Sequence, residues 1–326
     1  MPSSPHATSP TPGPLDGRAS AIMTSLCLLW SLQQISLKAA AADASPMTMI
    51  ALRSAIAAAL VAALMVWRGE ARPALAAAVQ QGRWRPGAVV GGLFALEYLL
   101  VAVALQLTSA GHVLVFLYTS PVFAALGLQA RLPAERLKPL QWLGIGLAFA
   151  GIAIAFAGRA ATHGVTGSSA GTAQILLGDA LALLAGASWG ATTVALRTSS
   201  LRHAPAAESL LYQLLAAFVL LAPAALLGGQ WHFTPTAAAW GHLGFQSLIV
   251  SFASFLVWFW LLRHYLASRL GVFSFLTPVL GVVLGHALLG EPLETPFLMG
   301  GAFVLAGIGL VNGHEWMAGW RRTAEV

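Results

Sequence analysis

A set of residues in this chain recurs at a nearly fixed distance. Trp30, Lys38, Pro46 and Arg53 reappear as Trp189, Arg197, Pro205 and Tyr212, each 159 positions further on. Pro121 reappears as Pro278, 157 on, and Glu135, Gly144 and Gly151 as Glu291, Gly300 and Gly307, 156 on. One or two small insertions or deletions reconcile these offsets. Self-similarity over half a chain constrains a fold more than any single motif does, because each copy must build the same structural unit.

The bilayer is the solvent such a unit needs. Charged residues are 9% of the chain, against roughly 25% in a soluble domain. Apolar residues are 58% and the mean hydropathy is +0.77. A water-facing globule of this length has too little polar cover for that surface. The net charge of +6 does not mark a nucleic-acid binder, since the basic residues lie between apolar runs rather than in one patch. Cys27 is the only cysteine, which rules out an intrachain disulfide or a cysteine metal cluster. It reads as packing, because Leu26 stands before it where lipoprotein acylation wants a small residue.

Ten runs approach the ~20 apolar residues that a spanning helix needs. They cover 19–39, 46–67, 87–107, 109–130, 139–157, 174–196, 206–227, 240–262, 268–289 and 296–313. If the N-terminus is cytoplasmic, the segments on that side hold 14 Lys and Arg residues, against two outside (Lys38 and Arg159), with Arg53 inside a span. The bias favours ten spans with both ends inside. Five spans per copy then turn the second copy upside down. The expected organisation is a disordered cytoplasmic tail at 1–18, a five-helix repeat at 19–157, a linker at 158–173, a second repeat at 174–313 and a cytoplasmic tail at 314–326. The fold class is all-α integral membrane, with ten helices as two inverted five-helix repeats, a multi-pass protein of the cell (inner) membrane.

With these features the chain resembles the drug/metabolite transporter superfamily, in particular its ten-helix EamA-type members. The first-helix pattern appears as LLWSLQQISLK at 28–38 and ASWGATTVALR at 187–197. The fourth-helix pattern appears as LYTSPVFAALGLQARLPAER at 117–136 and FLTPVLGVVLGHALLGEP at 275–292, each followed by a glycine-spaced helix. The resemblance covers roughly 19–313. It implies a carrier of small solutes, often an exporter of amino acids or related metabolites, working by alternating access. Gln33–Gln34 and Glu97 depart from the pattern.

Glu97 lies about ten residues into the third span, roughly 15 Å deep. A carboxylate there is costly and usually faces the bundle interior or a wet path. It suits proton coupling or binding of a solute ammonium group. Arg53, roughly 10 Å deep in the second span, offers the competing reading of a structural ion pair. By the repeat Glu97 aligns with Ser254 and Arg53 with Tyr212, so the charges exist in one half alone. That asymmetry leans towards function. Trp30, Gln33 and Gln34 on the first helix and Trp189, Thr192 and Thr193 on the sixth offer an apolar face with a few donors, suited to a zwitterionic or aromatic solute. Ser251, Ser254 and Trp258 share a face of the eighth helix. Helix–helix packing is the alternative for each of these. His112 and Tyr118 lie on the fourth helix and His286 on the ninth. Either His could relay protons, or it is solvated at the interface. Lys38 and Arg197 end their helices and snorkel to headgroups, and Glu208 favours a helix N-terminus. Pro121 and Pro278, matched mid-helix interruptions, are hinge candidates.

Other classes fit less well. No Gly-rich phosphate loop with Lys-Ser/Thr is present, so direct ATP drive is not expected. No HExxH or paired intramembrane aspartates suggest a membrane enzyme. No cofactor or metal is expected. The alternatives within carriers are a lipid-linked or nucleotide-sugar translocator and a multidrug exporter. The expected partners are a small-molecule solute and the lipid bilayer. One chain carries both halves, so a monomer suffices in principle and a homodimer stays open.

Overall fold

The computed structural model describes residues 17–131, 139–166, 169–264, 274 and 276–323. Its regular elements are helices: α1 (Gly17–Ala39), α2 (Pro46–Trp67), α3 (Ala71–Gln80), α4 (Trp84–Leu107), α5 (Ala110–Leu117), α6 (Ser120–Arg131), α7 (Pro139–Thr166), α8 (Ser169–Thr198), α9 (Ala206–Leu227), α10 (Ala237–Gly244), a π-helical stretch Phe245–Ser254 running into α11 (Phe255–His264), α12 (Leu276–Leu289) and α13 (Thr295–Thr323).

Local chemistry sets several of these limits. Ser45 caps α2 by accepting from the Thr48 amide at 3.1 Å, with Pro46 in the first turn, where a missing N–H costs nothing. Ser109 caps α5 through the His112 amide and Thr236 caps α10 through Ala239. Gly69 and Gly229, with φ of 72° and 66°, reverse the chain after α2 and α9, a conformation that costs other residues a steric penalty.

Among the described residues, seven stretches are long and apolar enough to cross a bilayer: Gly17–Ala42, Pro46–Trp67, Trp84–Leu107, Ala110–Arg131, Gly171–Thr198, Ala206–Leu227 and Ala237–Trp258. At the fifth, ninth and tenth expected spans the apolar stretches are shorter: Trp142–Ile154, Leu276–Leu289 and Thr295–Gly307. The ninth expected span began at 268, and residues 268–273 lie outside the described residues. Three connecting or terminal stretches are helical. The linker at 158–173 is helical over 158–166 and 169–173, because α7 and α8 run on into it. The C-terminal tail is helical through Thr323. The 68–86 connection contains a helix, α3, which carries Leu75 and Val79 exposed.

Helix pairing repeats between the halves. Taking the ten expected spans in order, the second packs on the seventh, the fourth on the ninth and the fifth on the tenth. The third packs on the sixth as the eighth does on the first, and the third on the seventh as the eighth does on the second. Exchanging the two halves maps these pairings onto themselves. Small residues permit the close crossings. A Cβ on Gly91 would lie 2.7 Å from the Tyr212 carbonyl oxygen, and one on Gly151 would lie 2.5 Å from that of Gly300. At one end of the bundle the corners 40–45 and 228–236 are laced together. Ala44 bridges Phe233, Ser45 and Thr48 hydroxyls donate to the Gln230 carbonyl at 2.7 and 2.9 Å, and the Thr236 hydroxyl donates to Asp43 at 2.7 Å.

Candidate functional site

Several of the polar residues singled out in the sequence meet where the halves pack together. Arg53 on α2 is 2% exposed, and its guanidinium is held by neutral groups. Nη1 donates to the side-chain oxygen of Gln246 at 2.5 Å. The Gln246 amide in turn donates to the Gln33 carbonyl at 2.7 Å, which fixes its orientation. The Gln33 side-chain amide is satisfied when its oxygen faces the guanidinium, accepting from Nη1 at 2.9 Å, Nη2 at 3.3 Å and the Tyr98 hydroxyl at 3.1 Å. The Arg53 guanidinium also lies 4.5 Å from the centre of the Tyr98 ring, a cation–π arrangement that suits a desolvated site. Four elements thus converge on one cation: α1, α2, α4 and the π-helical stretch.

Glu97 does not pair with Arg53. It is 5% exposed, and its Oε2 is enclosed with no hydrogen-bond partner among the described residues. Arg53 is the cation whose field it feels, without an ion pair within 4 Å. The structural-pair reading of the sequence is therefore corrected. The guanidinium has taken amide and phenol partners, and the carboxylate is left to meet something else. Gln34, 2% exposed, likewise has an enclosed amide oxygen without a partner. Buried groups of this kind are scarce in folded proteins and call for an explanation.

Two separate aromatic pairs contribute apolar surface. The Trp30 indole donates to Ser254 at 3.1 Å and meets Trp258 edge-on at 5.5 Å. Tyr118 meets Trp189 edge-on at 5.3 Å. Thr192 is buried, but its hydroxyl is turned back to the Ser188 carbonyl at 3.0 Å, and that of Thr193 to the Trp189 carbonyl at 3.3 Å. Ser251 and Ser254 lie on the π-helical stretch and both are buried. π-Helical turns are rare and concentrate at functional places. Here the wider turn buries Gln246, Ser247, Val250, Ser251 and Ser254 together.

Other candidates sit elsewhere. Tyr212 is half-buried near the Arg83–Glu208 end of the bundle, its ring against Gly87, which has room for it only because it lacks a Cβ. Pro121 follows a break in the fourth span at Tyr118–Thr119 and lies in the first turn of α6. Pro278 lies in the first turn of α12, not at mid-helix of the described part. His112 is not solvated. It is 3% exposed, bonded through Nδ1 to Asp179 at 3.1 Å and stacked on Phe297 at 3.6 Å. His286 is exposed and its ring meets the Glu291 carbonyl oxygen at 2.8 Å. Lys38 does not reach for headgroups but meets the Thr108 carbonyl and Glu291. Glu208 pairs with Arg83 at 3.3 Å. Gln246, Tyr98, Asp179 and Glu291 went unrecognised as site or network residues. Gln246, Tyr98 and Asp179 are polar positions within apolar runs, whereas Glu291 lies between two runs and is marked only by its repeat of Glu135.

The EamA-like transporter family matches residues 19–157 and 176–313, one match for each half. A protein of Synechocystis sp. described as an uncharacterized transporter is 25% identical over 300 residues, spanning 88% of this chain and 87% of its own. A solved structure described only as that of a protein aligns with a TM-score of 0.62 at 22% identity. It covers 90% of this chain and 97% of that one, which supports the fold. The chain belongs to the EamA-like transporter family. It is a multi-pass membrane transporter for a small-molecule solute.

Proposed function

We propose that this transporter moves small metabolites, amino acids or close relatives, out of the cell across the inner membrane by alternating access. The two five-helix halves lie in opposite orientations with both termini cytoplasmic, and the solute is held between them near the bilayer midplane. Glu97 carries the reading. It is a buried carboxylate with an unpartnered oxygen, in a chain that has neutral partners for its one mid-span arginine. Such a group is poised to take a proton or a solute ammonium. Trp30, Trp258, Tyr118 and Trp189 offer apolar and aromatic surface, and Gln34 offers an amide, which together suit a zwitterion better than a polyanion. A lipid-linked or nucleotide-sugar substrate fits less well, because Arg53 is already committed to Gln246, Gln33 and Tyr98.

The test separates coupling from exchange. In vesicles with a pH gradient, the wild type accumulates its solute against concentration. Glu97→Gln abolishes that accumulation and retains exchange of solute for solute. Undiminished pH-driven accumulation in the variant removes Glu97 from the coupling step.

A further inference from the structure

A second polar network, separate from the Arg53–Glu97 region, joins the halves at the end of the bundle that holds corners 40–45 and 228–236. Its centre is the corner between α4 and α5. Two acidic residues of the second half grip that corner. Glu291 accepts from the backbone amides of Ala110 at 2.7 Å and Gly111 at 3.1 Å, the open N-terminus of α5. Asp179 accepts from the Thr108 hydroxyl at 2.6 Å and meets the His112 ring at 3.1 Å. Lys38 of α1 ties the two acids together. Its ammonium is 3.4 Å from Glu291 and also donates to the carbonyl of Thr108, whose hydroxyl holds Asp179. Asp179 and Glu291 are 1% and 9% exposed, so these are largely desolvated contacts. Charge-assisted bonds in such surroundings are stronger than at a wet surface.

The gripped element is short. α5 is eight residues long and ends at the Tyr118–Thr119 break, where its connection to α6 leaves the regular helix. A rigid piece held at its tip by side chains and broken from its neighbour at its base has the form of a two-position element. Gln34 lies one turn deeper than Lys38 on the same face of α1, with its enclosed amide oxygen. The Lys38–Glu291 contact therefore lies one helical turn nearer that end of the bundle than Gln34.

We infer that Glu291 and Asp179 are the latch of the outer gate: they hold the Thr108–His112 corner of the first half shut, and releasing them opens the central site to the outside. The inference rests on the transport reading above for its purpose, but its test does not depend on knowing the solute. Cys27→Ala removes the native thiol and Gln34→Cys places a reporter beneath the latch. An impermeant maleimide is then added outside intact cells. The expected result is slow labelling in this background and at least tenfold faster labelling once Glu291→Gln and Asp179→Asn are added. Glu208→Gln, which breaks the Arg83 pair at the other end, leaves the slow rate unchanged. A tether checks the same latch by holding it closed instead of opening it. In Cys27→Ala, Lys38→Cys with Glu291→Cys joined by a short bifunctional thiol reagent stops solute exchange, and cleaving the tether restores it. Unchanged labelling in the double acid variant, or full exchange under a complete tether, overturns the latch. Failure of the unmodified protein to exchange any solute sinks the transport reading instead, while the labelling result still decides the latch.

Discussion

The Arg53 guanidinium donates to the side-chain oxygen of Gln246 at 2.5 Å, across 193 positions of sequence and from one half of the molecule to the other. A buried cation is stable only where its donors find acceptors. Here the acceptors are neutral, so the positive charge is not cancelled, and it can influence Glu97 or a solute nearby. The Gln246→Leu change strips the strongest of these contacts and leaves Arg53 enclosed. The loss is about 2–3 kcal/mol, read as a lowered unfolding temperature in detergent. Gln246→Glu keeps an acceptor for Arg53 but gives up the donation to the Gln33 carbonyl, so it is expected to recover only part of that loss.

Glu97 is expected to behave in the opposite way. Its carboxylate makes no hydrogen bond or ion pair that a Gln would forfeit. Glu97→Gln therefore changes stability by less than about 0.5 kcal/mol or raises it, even as it removes pH-driven accumulation. A large loss of stability, rescued by also removing Arg53, would show the carboxylate to be structural.

The α7–α13 crossing is a contact of backbones. A Cβ on Gly151 falls 2.5 Å from the Gly300 oxygen and 2.7 Å from the Val304 nitrogen. Gly151→Leu is expected to push the helices apart and cost about 1–3 kcal/mol. Gly92, whose Cβ would meet nothing within 4 Å, is the control, and Gly92→Ala is expected to be neutral or mildly stabilising. Thermal unfolding of the two variants in the same detergent makes the comparison.

Much of this architecture is legible in the amino-acid sequence, because bilayer physics writes it in long apolar runs and in the placement of Lys and Arg. The repeat of Trp30 as Trp189 and of Gly151 as Gly307 marks both halves, and the family matches fall on the same two stretches. What was hidden depends on pairing over long separations. Nothing near Gln246 announces that it faces Arg53, and nothing near Asp179 announces that it faces His112, 67 positions away. Hydropathy reads Gln246 as one polar residue in an apolar helix. The π-helical turn that brings it inward changes the period on which a helical-face argument relies. Lys38 and His112 misled for a related reason. Residues at the ends of spanning helices normally meet headgroups and water, and only the tertiary structure shows that a second half covers them.

Pro121 follows the break at Tyr118–Thr119 and has no N–H to offer the Leu117 carbonyl. Pro121→Ala restores that donor and favours a continuous fourth span. The expected effect is slower turnover with an unchanged half-saturating solute concentration. The reduction is roughly tenfold if the gating barrier rises by about 1.4 kcal/mol. Exchange kinetics over a range of solute concentrations make the distinction, since a change confined to half-saturation would place Pro121 in binding instead.

The central claim is that this chain carries amino acids or their close relatives, and counterflow tests it most directly. Purified protein is reconstituted into vesicles loaded with a mixed amino-acid pool, and labelled amino acids are supplied outside one at a time. The account predicts that at least one label enters, driven only by exchange, and that entry requires the loaded pool. If vesicles holding folded protein admit none of the labels, the claim is contradicted.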